Sequence, residues 1–334
     1  MQNLLKAIRS MGFPRTINTS RLTNRLIRLV WACIRTFLLT GLCFMILYPL
    51  FITVSRALMG EADMNDTTVV MLPKHLSLAM LKLAAGSDLL NYWPSLLTTL
   101  GYVTGLTVLQ TIACLLAGYG FGRFDLPFKR TLFALVIFTI LVPPQLFTPA
   151  FYLQMRSFDF FGLIEAIRGE PLNLVGGYIP MVLLAVTGNG IKNGLFIYIF
   201  RQNFRNMPAA LEEAAYVDGA GHIRIFTRIM VPNAITTIVT VALFSFVWQY
   251  NDTYYSGIYL SIDAGILSLK FNEVIRNSMA LENIGLSISQ IFNPIFVRSL
   301  YSAAAVLVLL PVILVYCIFQ RYFIEGVERS GLVG

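Results

Sequence analysis

The chain has 334 residues, of which 57% are hydrophobic and only 13% are charged, and its mean hydropathy is +0.71. This composition excludes an ordinary water-soluble domain and predicts an all-α, polytopic membrane protein. The basic residues behind the net charge of +8 are scattered over short segments between apolar runs. They indicate membrane topology, so we expect contact with a lipid bilayer and no nucleic-acid partner.

The residue types that carry most enzyme chemistry are sparse in this chain. Its four cysteines lie inside apolar runs without metal-ligand spacing, and its only histidines are His75 and His222. We therefore expect no metal site, no disulfide framework and no catalytic site. No glycine-rich loop ends in Gly-Lys-Ser/Thr, the pattern that holds nucleotide phosphates. The chain is expected to bind no cofactor and to be no enzyme.

The apolar runs predict the membrane topology, because a spanning helix needs about 20 mostly apolar residues. A basic leader without acidic residues, 1–29, precedes an apolar run that is too long for a cleaved signal peptide. An extracytoplasmic loop at 55–94 then leads to a core domain at 95–320 and a tail at 321–334. Six stretches qualify as crossings: 30–54, 95–120, 131–153, 178–200, 232–252 and 299–319.

Proline or glycine interrupts three of the predicted crossings, at Pro143-Pro144, Gly188-Asn189-Gly190 and Pro311. Lipid tolerates such breaks only where neighbouring helices or a polar cavity satisfy the freed backbone groups, so we expect a bundle with a pathway.

The distribution of Lys and Arg predicts the orientation of the chain. Fifteen lie in the leader, the tail and the connections on the same side, against eight in the other connections. Positive residues favour the cytoplasmic side, so both termini and segment 208–232 are expected in the cytoplasm. The outer connections after the first and fifth crossings are long, and they serve either as a surface for an external partner or as tethers.

Segment 208–232, called the knuckle below, is the most charged stretch between two apolar runs. Pro208 can open a helix in which Glu212 and Glu213 lie near the positive end. Asp218-Gly219-Ala220-Gly221 stops that helix, because glycine adopts backbone angles that other residues resist. A second short helix is predicted from His222 to Met230. Physics alone favours a structural interfacial helix over a docking element.

The spacing within the knuckle resembles the EAA loop of ABC importer permeases. Glu213-Ala214-Ala215, Gly219, Ile229 and Pro232 occupy the positions of that motif, with Val231 where the motif has leucine. Over about residues 95–330 the chain is also similar to carbohydrate-type permeases of the maltose-permease class. The similar stretches are Pro143-Pro144-Gln145, FRQNFRNMP, YVDGAG, WQYND and QRYFIEG. Family tails usually carry lysine where Val333 stands, and the leader and last outer loop are long for the family.

The resemblance implies a type I permease bundle of the bacterial cytoplasmic membrane. Its knuckle would act as a coupling helix in a groove of a separate cytoplasmic ATPase dimer, which would bind ATP and magnesium. A second permease subunit, by resemblance a different chain, and an extracytoplasmic substrate-binding protein would complete a carbohydrate importer. The implied ATPase-coupling residues are Glu212, Glu213, Ala214, Ala215, Asp218, Gly219, Gly221, Ile229 and Pro232.

Candidate pathway residues lie in the fourth and fifth crossings. Lys192 stands about midway along the fourth crossing near Asn189, where a charge costs roughly 2.5–3.5 kcal/mol. It either faces a wet cavity beside a broken helix or reaches an interface with its long side chain. At the end of the fifth crossing, Trp248, Tyr250, Asn251 and Asp252 form either a sugar-binding set or an interfacial belt.

Two other functions are compatible with the sequence. One is an ABC importer of a non-sugar solute. The coupling motif indicates an ATPase partner, and it indicates the transported solute less firmly. A secondary transporter or channel that works without ATP is the other, and the EAA loop and the lack of paired inverted repeats count against it.

Overall fold

The structure is a computed structural model that describes residues 21–331, apart from 67, 70, 87, 277–285 and 287. The predicted leader up to residue 20 and the tail position Val333 lie outside the described residues.

Within the described residues the fold is helical, and extended pairing is limited to isolated bridges, as the composition predicts. The helices are α1 (Arg21–Ala57), α2 (Glu61–Met64), α3 (Ala79–Ala85), α4 (Tyr92–Arg123), α5 (Lys129–Leu141), α6 (Thr148–Arg156), α7 (Leu163–Arg168), α8 (Ile179–Val186), α9 (Asn193–Asn206), α10 (Ala210–Val217), α11 (His222–Ile225), α12 (Val231–Asn233), α13 (Ile235–Tyr250), α14 (Tyr254–Tyr259), α15 (Leu267–Arg276), α16 (Ile288–Ile291) and α17 (Pro294–Gly331).

Three helical stretches in the described part of the chain are long and apolar enough to cross a membrane: Arg28–Ala57, Tyr92–Arg123 and Pro294–Arg321. A fourth span is reached if His222–Asn233 and Ile235–Tyr250, bent by 74° at their junction, are taken as one. These stretches coincide with the first, second, sixth and fifth predicted crossings. The structure therefore supports three or four apolar spans and does not by itself confirm six.

The two remaining predicted crossings, 131–153 and 178–200, are broken helices. In the first, α5 ends at Leu141, Pro143 adopts an extended conformation, and a short 3-10 turn leads into α6. In the second, α8 ends at Val186, and α9 begins only after Lys192. Both breaks lie where the sequence predicts them. At Pro311, in contrast, α17 continues without interruption, so proline does not end this helix.

The chain divides into two compact units between Val54 and Ser55. In the first unit, α1 exposes large apolar side chains along most of its described length. In the second unit, α4 is the central helix and packs against α8, α9 and α13, while α17 packs against α3, α13 and α15.

Two glycines on α4 allow it to approach α9 very closely. A Cβ atom on Gly118 would overlap with the Cβ of Phe200 and lie 3.0 Å from the backbone nitrogen of Arg201. One helical turn later, a Cβ on Gly122 would lie 3.0 Å from the Cβ of Phe204. Small residues one turn apart let helix backbones approach closely in membrane bundles. This contact fixes α9, and with it the start of the knuckle, on α4.

The segment between α1 and α4, which the sequence predicts to be extracytoplasmic and which is called the outer segment below, is organised by a buried acid. The carboxylate of Asp63, only 2% exposed, accepts a hydrogen bond from the backbone N–H of His75 at 2.8 Å and pairs with Nδ1 of the same residue at 2.8 Å. The backbone N–H of Gly60 donates to the His75 carbonyl at 3.1 Å. The N–H of His75 is the main reason that the pKa of Asp63 lies below its ordinary value of 3.8.

The close contact at Gly118 predicts a matched pair of stability effects. Gly118→Ala should destabilise the protein by about 1–3 kcal/mol, because the added methyl group has no room between α4 and α9. Gly120→Ala should be neutral or stabilising by up to about 1 kcal/mol, since nothing lies within 4 Å of its Cβ position and alanine favours helix. Thermal unfolding of the purified variants in detergent measures both, and equal melting temperatures would contradict the packing described.

The environment of Asp63 predicts that the outer segment depends on pH. Since its pKa is lower in the folded than in the unfolded chain, the carboxylate stabilises the segment above the unfolded value of roughly 4. That contribution falls as the pH drops from there through the folded-state pKa. Hydrogen exchange around Gly60 and His75 should show more protection in the wild type than in Asp63→Asn at pH 7. A difference that persists undiminished at pH 2 would refute this role.

Candidate functional site

The first half of the knuckle is a short helix that ends in a glycine turn. Helix α10 carries Glu212 and Glu213 in its first turn and ends at Val217, as the sequence predicts. Asp218 follows as its exposed C-cap, and Gly219 has a φ of 78°, in the left-handed region. The backbone N–H of Ala220 closes the turn on the Ala215 carbonyl at 2.9 Å.

The second half returns to the bundle through an irregular helix. Gly221 is the extended N-cap of α11, and the chain then forms a π-helical turn, Phe226–Met230, instead of a regular α-helix. Pro232, in the first turn of α12, has no N–H to donate to the carbonyl four residues earlier, which favours such an irregular turn. Pro232 does not begin the spanning helix as predicted. That helix starts at Ile235, after a break at Ala234.

The knuckle presents one face to the outside and one to the bundle. Glu213, Ala214 and Gly219 are exposed, and Val217 and Ile223 are 88% and 81% exposed. On the inner face, Ala215 is buried, and Ile229 is partly buried against the same cluster of core residues. The outer face combines an acidic group with apolar side chains, a composition suited to a protein partner.

The two neighbouring glutamates of α10 have different environments. Glu213 is exposed, whereas Glu212 lies against the end of α4, its Oε1 3.6 Å from Nε of Arg123 and 3.4 Å from the hydroxyl of Tyr119. Arg123 and Tyr119 lie about 90 residues from the motif, and only the fold brings them to it, so the motif alone could not reveal them.

The break before α9 places Lys192 beside Trp248. Gly188 and Lys192 have φ values of 82° and 60°, so a non-glycine residue occupies the left-handed region at the break. Lys192 is exposed, and its Nζ lies 5.8 Å from the centre of the Trp248 ring, within the range of a cation–π interaction. Asn189 is exposed in the same break, and its amide donates to the Thr187 hydroxyl at 3.3 Å.

A buried polar network, which the sequence analysis missed, supports this break. The side-chain amide of Gln110, on α4, donates to the Ile191 carbonyl at 2.7 Å and to Asn193. Its carbonyl oxygen accepts hydrogen bonds from Ser245 at 2.5 Å and from Gln249 at 3.1 Å. The sequence signal for this network was the presence of polar residues inside apolar crossings, namely Gln110, Ser245 and Gln249.

The other pathway candidates make hydrogen bonds to neighbouring parts of the chain. Tyr250 is buried, and its hydroxyl donates to the Val308 carbonyl at 2.8 Å. Asp252 accepts from the N–H and the hydroxyl of Ser256, both at 2.7 Å, at the start of α14. Asn251 is exposed, and its amide donates to the Val247 carbonyl at 2.9 Å. Within the described residues, no group of three or more His, Cys, Asp and Glu side chains could hold a metal ion.

Comparison with known proteins identifies relatives among membrane transport proteins. The chain is 27% identical to a probable ABC transporter permease protein of Pyrococcus horikoshii, over 66% of this chain and 68% of the relative. It is 26% identical to a maltodextrin transport system permease protein of Bacillus subtilis, over 95% and 99%. It is 23% identical to an sn-glycerol-3-phosphate transport system permease protein of Yersinia pestis, over 86% and 92%.

A structural comparison and a family match point to the same class of proteins as these relatives. The structure is similar to that of a bacterial ABC transporter involved in the import of the acidic polysaccharide alginate, with a TM-score of 0.64 at 18% identity, over 92% of this chain and 100% of the other. Residues 111–329, which include the knuckle and the Lys192 break, match the family model. The chain thus belongs to the family of binding-protein-dependent transport system inner membrane components.

Proposed function

We propose that this chain is a transmembrane permease subunit of an ABC importer that moves a carbohydrate across the bacterial cytoplasmic membrane. The observation that carries the proposal is the knuckle, whose exposed Glu213, Ala214 and Gly219 face away from the bundle and whose second half joins a spanning helix at a bend. Relatives named for maltodextrin and diacetylchitobiose uptake support a sugar as cargo.

In this proposal the chain crosses the membrane six times, with the two broken helical segments as crossings and both termini in the cytoplasm. The knuckle docks in a groove of a separate ATPase dimer, where ATP and magnesium bind. Glu213 makes a polar contact with the ATPase, and Val217 and Ile223 add apolar contact area. A different permease chain completes the bundle, and an extracytoplasmic binding protein delivers the cargo.

Movement of the ATPase subunits would reach the membrane through the knuckle. When ATP closes the ATPase dimer, the two knuckles of the permease pair approach each other, and each bundle changes between inward-facing and outward-facing arrangements. The turn at Gly219 fixes the angle at which α10 meets α11. The knuckle fits closely in the ATPase groove only at that angle.

The helix break is the proposed contact with cargo in this chain. Lys192, Asn189 and Trp248 are exposed or partly exposed there, and aromatic rings stack on sugar rings while amides donate hydrogen bonds to hydroxyl groups. Tyr250 and Asp252 would act indirectly, by holding α13 and α14 in place.

A non-sugar solute is the second candidate cargo. Relatives of this chain include permeases named for sn-glycerol-3-phosphate and for osmoprotective compounds, so the same fold serves solutes of different chemistry. Lys192 would suit an anionic group of such a solute.

Reconstitution tests the proposal. The chain is purified together with its partner proteins, and ATP hydrolysis in proteoliposomes is measured with a set of sugars and with glycerol phosphate in the presence of the binding protein. A copurifying ATPase and stimulation by a sugar support the proposal. Transport at full rate without any ATPase would exclude it.

The turn at Gly219 predicts a matched pair of variants. Gly219→Val should abolish transport and ATPase recruitment, because a β-branched residue resists the left-handed conformation even though the space around the Cβ position is open. Gly219→Asn should retain most activity, since asparagine tolerates this conformation. Both variants should insert normally into the membrane. Equal transport by the valine and asparagine variants would refute a role for the turn.

Lys192 predicts an effect on transport that is separate from ATPase recruitment. Lys192→Met should lower the rate of sugar transport by about 10-fold or more while the amount of copurified ATPase stays the same, because the charge beside Trp248 is lost without a change in the knuckle. Lys82→Met, at an exposed position of the outer segment, is the matched control. Unaltered transport by Lys192→Met removes this residue from the pathway.

A further inference from the structure

The inner face of the knuckle carries a charged contact that the EAA motif does not explain. Glu212 and Arg123 are only 16% and 12% exposed in their side chains, and Oε1 of Glu212 lies 3.6 Å from Nε of Arg123. An ion pair that is this shielded is screened less by water and salt than a surface pair. It joins the first turn of α10 to the last turn of α4.

Arg123 also holds the chain just before the knuckle. Its Nη2 donates a hydrogen bond to the carbonyl of Met207 at 2.7 Å, and Met207 is the C-cap residue of α9. One guanidinium group therefore binds the residue that precedes Pro208 and, through Glu212, the helix that follows it. A planar guanidinium with several donors is suited to hold two acceptors at once.

Tyr119 completes the contact one turn earlier on α4. Its hydroxyl donates to Glu212 at 3.4 Å, and its ring packs against the rings of Phe204 and Phe226, with centroid distances of 5.2 and 4.7 Å. Phe226 belongs to the π-helical turn of the second half of the knuckle. Both halves of the knuckle thus rest on the same end of α4.

The other functional feature of α4 lies further along the same helix. Gln110, the centre of the polar network at the Lys192 break, is 13 residues before Arg123, or roughly 20 Å along a helix that rises 1.5 Å per residue. Helix α4 is continuous between the two positions. A displacement of its Arg123 end therefore moves Gln110 and the backbone of the break with it.

We propose that Glu212 and Arg123 form a clasp that transmits movement of the knuckle into α4 and, through Gln110, to the helix break at Lys192. The two residues are positioning residues that contact neither cargo nor nucleotide, and their role rests on the proposed function of the knuckle. Nε of Arg123 is buried and has no hydrogen-bond partner among the described residues. A closer approach of Glu212 would therefore let this N–H donate a hydrogen bond to the carboxylate.

The test measures how well ATP hydrolysis is coupled to transport in complexes that contain the same amount of ATPase. Glu212→Gln, Arg123→Gln and the double variant are purified in the full importer and reconstituted in proteoliposomes, with Asp125→Asn, an exposed acid in the following connection, as the control. The readout is the number of sugar molecules transported per ATP hydrolysed, together with the amount of ATPase that copurifies. A residue needed only for folding would lower the yield of complex without changing this ratio.

The clasp predicts that each single variant keeps its ATPase while the transport ratio falls by about 2- to 30-fold. The double variant should fall no further than the worse single variant, since both changes break one contact. Arg123→Lys, which keeps the charge, should give a ratio between those of the wild type and Arg123→Gln.

Three results would overturn the clasp. They are an unchanged ratio in either single variant, additive losses in the double variant, and loss of the ATPase from the complex, which would assign the pair to docking. If a glutamine variant fails to fold, Arg123→Lys decides alone, and a ratio equal to that of the wild type rejects the clasp. Failure of the proposed function is a different result, because the unmodified chain would then recruit no ATPase.

Discussion

The fold depends on satisfying backbone groups inside an apolar bundle, and the amide side chain of Gln110 does this at the most demanding place. The break between α8 and α9 removes regular helical hydrogen bonds, and an apolar bundle requires other partners for the freed backbone groups. Gln110 donates to the carbonyl of Ile191 within that break, and it joins α4 to Asn193 and to Ser245 and Gln249 of α13. Three segments are thereby held at one point, and Lys192 and Trp248 are positioned beside it.

Helix α4 makes two kinds of contact along its length, close packing near the knuckle and polar contacts at Gln110. Toward the knuckle, Gly118 and Gly122 let α9 lie against α4 with little space between the backbones. Toward the opposite end, polar contacts replace this tight apolar packing. The packing at Gly118 and Gly122 fixes the angle between α4 and α9, and the hydrogen bonds of Gln110 hold the break in place.

The sequence was sufficient to predict the helical class, the location of the two helix breaks and the two halves of the knuckle. These features follow from local chemistry. Pro143-Pro144 and Gly188 lie at the observed breaks, and Gly219 adopts the conformation that the turn requires. Pro311 shows the limit of such reasoning, because α17 continues as a helix through it. Contacts over long separations could not be predicted. The pairing of Glu212 with Arg123 and the hydrogen bond from Tyr250 to Val308 depend on which helices the fold brings together.

The bend at Ala234 has a mechanical consequence. The returning half of the knuckle meets α13 at 74°, nearly a right angle, with a single non-helical residue at the corner. Two arms joined in this way form a crank. A force directed across the shorter arm would turn the longer arm about its own axis, whereas a force along the shorter arm would only displace it. Rotation of α13 would move Trp248 around the helix axis, so the position of its ring relative to Lys192 would change with little displacement of the helix itself.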